Sequence, residues 1–232
     1  AHIEQLSGQQ FSFGVRLAEN NSDLINKIKA VKQANMDLLV VPVDAGRSGS
    51  ELNDFGGTKI VLEIRDININ DTIEEIGPHA LILKGNEAGG RVSRYSSFIL
   101  MQWYLKNSDM PLFIHGGVGR YTAAGMLAAG VSGLVMDSQF WMTDEAPVSE
   151  NLKKLMGMVD ESDSTEIIYN DEDIFRVFAK LGTKIVKDLK QQAVELTDDP
   201  VGRRKVYQAI TDHMTEFDKD DVWWRFKMKN YP

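Results

Sequence analysis

The sequence predicts an α/β fold, a (β/α) barrel of the TIM type with a C-terminal β-hairpin and helical extension. Three observations carry this. Six short apolar runs recur, with starts 26, 22, 20, 32 and 22 residues apart, and the segments between them read as helices where a period is visible. Several runs are nearly continuous in Val, Ile and Leu, as strands covered on both faces require. The glycines cluster at the carboxyl ends of the fourth, fifth and sixth runs (KGNEAGG, HGGVG, MDSQ), the end at which barrels build their active sites. A doubly wound sheet competes with the barrel, but it concentrates its glycines after the first strand.

The six predicted strands are FSFGVRLA (11 to 18), DLLVVPVDA (37 to 45), KIVLEIRD (59 to 66), HALILKGN (79 to 86), PLFIHGGV (111 to 118) and GLVMDSQF (133 to 140). Between the first two, Asn21, Ser22 and Asp23 offer an N-cap, and Leu24, Ile28 and Val31 mark one helical face. Asp71 caps a short helix through Ile76, which Gly77 and Pro78 stop. Ser96 or Ser97 opens the apolar helix FILMQWYLKN. The segment from Gly119 to Ala129 is rich in small residues that let a helix approach its sheet, and Gly130 ends it.

Beyond Phe140 the rhythm changes. TEIIYN (165 to 170) and IFRVFAK (174 to 180), joined by Asp171, Glu172 and Asp173, predict a hairpin. Thr183 to Leu196 reads as an amphipathic helix through Ile185, Leu189, Ala193 and Leu196. A second helix begins with Asp199 as N-cap and Pro200 at the first helical position, with Val206, Ile210, Met214 and Phe217 on its apolar face. VWWRF (222 to 226) packs against these helices.

Composition narrows the function. A chain of 232 residues, 43% hydrophobic and 26% charged, is long enough for one sizeable core. No apolar run approaches the roughly 18 residues of a membrane helix, and no charged-then-apolar leader opens the chain. With zero cysteines, this points to a cytoplasmic protein. The first residue is Ala rather than Met, which reads as a chain trimmed or cut from something longer. The net charge of -8 sits between Thr143 and Asp173, where ten acids face two bases. An acidic belt of this kind repels a phosphate backbone, so nucleic acid is an unfavoured partner.

The chemistry gathers at the glycines. Gly116, Gly117 and Gly119 lie between a buried strand and a helix start, where backbone amides and the helix dipole can face an anion. In barrels the loops after the last two strands commonly form a phosphate site. His115 stands on the mouth side of its strand, as an acid or base or as a structural histidine. Asp44 precedes a loop with four glycines (46, 49, 56, 57) and is placed either to face the mouth or to be solvated there. His2, His79 and His213 show no metal-ligand spacing, so no metal is expected.

EAGG at 87 to 90 after ILKG, IHGGVG at 114 to 119 and GLVMDSQFWMTDEA at 133 to 146 resemble the last three strand-loop units of nitronate monooxygenases and the related flavin-dependent enoyl-ACP reductases. The resemblance implies an FMN-binding barrel. It implies that Gly85, Gly89 and Gly90 let the backbone pass the flavin ring, that Gly116 and Gly117 hold the FMN phosphate, and that Ser138 supplies a hydroxyl to it. Lys84 falls where a polar side chain reaches the ring. Two departures stand out. Nitronate monooxygenases follow EAGG with a proton-abstracting histidine, but here Arg91 occupies that position, suited to an anionic substrate rather than to base chemistry. Asp137 stands where the family has glycine, and must turn away from a phosphate or pair with a cation such as Arg120.

By the same resemblance FSFGVRLA corresponds to the family's third strand, so the barrel is incomplete at its N-terminus and lacks its first two strand-helix units. The domains are then 1–146, an FMN-type barrel, and 147–232, an acidic connector, hairpin and helical extension of the sort found in polyketide- and fatty-acid-synthase-like multienzymes. The expected function is an FMN-dependent oxidoreductase acting on a small-molecule or acyl-carrier-bound substrate beside other domains of a multienzyme. The alternatives are a catalytically silent barrel serving as scaffold and a phosphate-ligand lyase or isomerase, for which no base and lysine pair stands out. No residue is assigned as catalytic at this level.

Overall fold

A computed structural model describes residues 13–17, 36–43, 57–136, 138–146, 150–158, 163–170, 173–177 and 184–196, with a few single positions besides. The chain divides into two compact units, Ala1–Ala88 with Ser93–Val135, and Gly89–Val92 with Met136–Pro232.

In the first unit β1 (Phe13–Arg16), β2 (Met36–Val43), β3 (Lys59–Ile64), β4 (Ala80–Lys84), β6 (Leu112–His115) and β7 (Gly133–Val135) pair in that order, all parallel; β5 (Gly90–Val92) belongs to the second unit. The sheet curls into an incomplete barrel with α1 (Asn70–Ile76), α2 (Ser97–Asn107) and α3 (Arg120–Ala128) between strands. Period-two alternation gives the strands two apolar faces. One carries Leu39, Val41, Leu62, Ile64, Leu81, Leu83 and Ile114 against Leu100, Met101 and Tyr104 of α2. The other, the barrel interior, carries Val40, Val61, Ala80 and Ile82. Tyr104 also donates its hydroxyl to the Asp66 carbonyl at 2.8 Å, so one side chain fastens α2 to the exit of β3.

The helix ends follow local chemistry. Ser96 caps α2 by accepting from the Ile99 amide at 3.3 Å. In α1 the cap is Ile69, without a side-chain bond, and Asp71 lies one residue inside the helix, where its charge complements the amino-terminal dipole. Gly77 ends α1 in the left-handed conformation at φ 58°, as a C-terminal glycine does. The small residues of α3 are not used for close packing, since Met126 is its buried residue and Ala124 and Gly125 are exposed. The sixth run is a strand only as far as Val135; Ser138–Met142 turns as a 3-10 helix.

The second unit is a three-stranded antiparallel sheet in the order β5-β9-β8, with the hairpin of β8 (Thr165–Ile168) and β9 (Ile174–Val177) at the expected place. The acidic stretch before it contains a helix, α4 (Glu150–Met156), that its charge conceals. Helix α5 (Lys184–Glu195) buries Val186, Leu189 and Ala193 against Ile167 and Tyr169. Asp199 accepts from the Val201 and Gly202 amides at 3.1 and 2.9 Å, the N-cap geometry anticipated for the next helix. The helix proposed after Asn21, the face through Val206, Ile210, Met214 and Phe217, and VWWRF lie outside the described residues. Among the described residues no helix is long and apolar enough to cross a membrane.

Leu83→Ala, in the layer between sheet and helices, is expected to cost about 2–5 kcal/mol of stability, seen as a lowered urea midpoint. Phe98→Ala, at a side 54% exposed, should change it by less than about 0.5 kcal/mol.

Candidate active site

In a parallel sheet, paired residues point to the same face, so the register decides which side chains meet inside the barrel. Pairing joins Arg16 to Val40, Val40 to Val61, Val61 to Ala80 and Lys84 to His115. With alternation along each strand, Arg16, Glu63, Lys84 and His115 all fall on the interior face. Each lies at or next to the carboxyl end of its strand, the end that carries the EAGG and HGGVG loops.

Glu63 is the centre of this group. Its Oε2 accepts from Arg16 Nε at 3.0 Å, and a terminal nitrogen of the same guanidinium contacts that oxygen too. Lys84 Nζ lies 3.8 Å from Oε1, and His115 Nδ1 lies 3.8 Å from Oε2. Glu63, Lys84 and His115 are buried, whereas the Arg16 side chain is 47% exposed and reaches inward from the edge strand β1. Burial alone pushes the Glu63 carboxyl up; His115, Lys84 and Arg16 outweigh it and hold the group at about 2 against an ordinary 4.5. Glu63 is therefore an anion at all moderate pH, flanked by Arg16 and Lys84.

The glycine loops frame this cluster. A Cβ at Gly85 would lie 2.2 Å from the Ser97 amide nitrogen and 2.6 Å from its Cα, so the chain leaving β4 can pass the start of α2 only as glycine. The Glu87 carboxylate accepts from the Ser97 amide at 2.9 Å and from its hydroxyl at 3.3 Å, closing the turn against α2. Gly116, at φ 106°, abuts Ala88, where a Cβ would meet the amide nitrogen at 2.9 Å. Gly117 is left-handed at φ 64°. Thr122 then bridges the loop, its hydroxyl donating to the Gly117 carbonyl at 2.6 Å and accepting from the Gly119 amide at 2.7 Å, which sets the first turn of α3.

Lys84, Gly85, Gly116 and Gly117 thus come together with Glu63, Arg16 and His115 in the first unit. Gly89, Gly90, Arg91 and Ser138 fall in the second. There Gly90, at φ 74°, and Arg91 form β5 with Val92, and Arg91 makes an ion pair with Asp173 at 2.6 Å. His79 is structural: its Nδ1 accepts from the Ile60 amide at 3.2 Å, at the entrance of β3 rather than its exit. Asp44 and Asp137 lie outside the described residues. Sequence reasoning missed Glu63 and Arg16. The available signal was a single carboxylate in the otherwise apolar run IVLEI.

Comparison with known proteins supplies the context. The nitronate monooxygenase family model matches residues 4–222. A curated relative from Rhodococcus jostii (strain RHA1), (3aS,4S,5R,7aS)-5-hydroxy-7a-methyl-1-oxo-octahydro-1H-indene-4-carboxyl-CoA dehydrogenase, is 34% identical over 79 residues, 33% of this chain and 22% of that one. FabK from Thermotoga maritima superposes with a TM-score of 0.66 at 19% identity, over 84% of this chain and 61% of that one. The enoyl reductase domain of MlnA, from the macrolactin biosynthesis cluster of Bacillus amyloliquefaciens, gives 0.61 at 12% identity, over 96% and 66%. The chain therefore spans less than two thirds of the length of each.

Two outcomes follow from the geometry. A carboxyl held below its unfolded value contributes stability above the unfolded pKa and loses it as pH falls through the folded one. Urea midpoints should accordingly drop between about pH 5 and pH 2, with Glu63 accounting for on the order of 3 kcal/mol and Glu63→Gln flattening that part of the slope. At the glycines, Gly85→Ala should cost about 1–3 kcal/mol through forced backbone movement. Gly89→Ala, where a Cβ meets nothing within 4 Å, should leave the midpoint nearly unchanged.

Proposed function

The chain belongs to the nitronate monooxygenase family, and from that premise we propose that its barrel is an FMN-dependent oxidoreductase reducing the activated double bond of an acyl thioester, as a cytoplasmic domain of a lipid or polyketide synthase. The observation that carries this reading is the cluster of Arg16, Lys84 and His115 around Glu63 at the barrel mouth. Its donor set fits the cofactor. The charges of Lys84 and Arg16 suit a ring system that becomes electron-rich on reduction. The backbone of Gly116 and Gly117, before the amino terminus of α3, suits a phosphate, and Ser138 is assigned the hydroxyl contact to it. Gly85, Gly89 and Gly90 are assigned the passage of the backbone beside the ring.

When bound, FMN supplies hydride transfer. The chain's own residues set the polarity and the proton chemistry around it. Arg91 stays protonated near neutral pH and so cannot abstract the proton of a nitroalkane, which favours enoyl reduction over nitronate oxidation. It is assigned instead to an anionic part of the substrate. An acyl thioester is supported by the curated relative, named for a carboxyl-CoA substrate, and by the enoyl reductase domain of a macrolactin cluster.

The test is an absorption titration of the purified protein with FMN, followed by assay with an α,β-unsaturated thioester and a reduced nicotinamide. Flavin binding is expected, with Lys84→Met weakening it about tenfold, equivalent to about 1.4 kcal/mol. Nitronate turnover should be negligible in the wild type and rise on the order of 100-fold in Arg91→His. Absence of flavin binding would favour the silent scaffold, and robust nitronate oxidation by the wild type would remove the argument from Arg91.

A further inference from the structure

The family's proton-handling histidine is missing after EAGG, yet a buried imidazole stands inside the barrel with a carboxylate beside it. His115 ends β6, its side chain is 4% exposed, and its Nδ1 lies 3.8 Å from Glu63 Oε2. The charged groups facing this pair come from two strands: Arg16 from β1 and Lys84 from β4. The neighbouring position on β7, Val135, is apolar. A carboxylate beside an imidazole fixes the ring and stabilises its protonated form.

We propose that His115 is the proton donor of this barrel and that Glu63 is its positioning residue, the pair replacing the histidine whose place Arg91 has taken. This rests on the enoyl-reductase reading. As the β-carbon of the unsaturated thioester receives hydride, the π pair shifts toward the α-carbon and the thioester oxygen. His115 gives a proton to the α-carbon, forming the second C–H bond and leaving a neutral imidazole, which is reprotonated from solvent. The hydride is the contribution of bound flavin, and its electrons come from a reduced nicotinamide dinucleotide. Lys84 and Arg16 keep Glu63 ionised throughout the cycle, so the carboxylate orients the ring without taking up the proton itself.

The pair can be tested without cofactor. NMR titration of the imidazole signals, assigned with His115→Asn, should show the His115 pKa falling by about one unit or more in Glu63→Gln, because a carboxylate favours the imidazolium. If Glu63→Gln does not fold, Glu63→Asp, which withdraws the charge without removing it, should give a smaller fall in the same direction. An unchanged His115 titration in a folded variant overturns the pair. At saturating FMN, His115→Asn should lose thioester reduction by about 100-fold or more. Wild-type rates in that variant overturn the proton-donor role while leaving the flavin reading intact. Failure of the wild-type protein to bind flavin overturns both the flavin reading and the proton-donor role, and the titration then still decides the pair.

Discussion

A carboxylate inside a barrel is tolerated only when cations hold it, and the ion cluster at Glu63 is the constraint on which the first unit is organised. The cost of desolvating such a group runs to several kcal/mol, and the return depends on geometry. Here the partners come from three other strands of the same parallel sheet. Arg16 reaches across β2 from the edge strand, Lys84 comes from the adjacent β4, and His115 comes from β6. The cluster therefore ties together strands that backbone pairing joins only neighbour to neighbour. Removing Glu63 would leave the buried Lys84 without this partner.

Below the cluster the interior is filled by Val40, Val61, Ala80 and Ile82, and outside it α2 closes the opposite face. The ionic layer and the apolar layer lie on the same strands two residues apart, so the register that buries one also aligns the other. Shifting β3 by a single residue would send Glu63 between Val41 and Leu81 or between Val43 and Leu83, an arrangement excluded by the desolvation cost. The loops above are fixed by equally local terms. Gly85 and Gly116 admit a close backbone approach that any Cβ would block, and the Glu87 and Thr122 side chains each accept from one backbone amide at the helix starts beside them.

Much of this was legible in the sequence because its signals are local. The six runs announce themselves by continuous Val, Ile and Leu, the hairpin by its turn residues, and α5 by the spacing of Leu189 and Ala193. Helix α4 was hidden because its charges match those of a solvated connector. Strand β5 was hidden because three residues carry no period, and its pairing with β9 is a contact between Arg91 and Phe175, 84 positions apart in the chain. The Glu63 cluster was missed for a related reason: Lys84 and His115 could each be noticed alone, but their common partner appears only when strand register is known.

The stretch from Gly85 to Val92 is divided between the two units. Its first half, Gly85 to Ala88, closes the turn of the first unit against Ser97 and Gly116. Its second half pairs with β9 in the second unit, where Arg91 meets Asp173. A residue whose backbone is in a ladder and whose charge is in an ion pair is poorly suited to travel with a reacting proton. A histidine at that position would have to give up the ion pair or the protonated state that sustains it. The barrel interior offers a better-held alternative, because His115 stands on a strand rather than a loop and faces a carboxylate that three basic groups keep ionised.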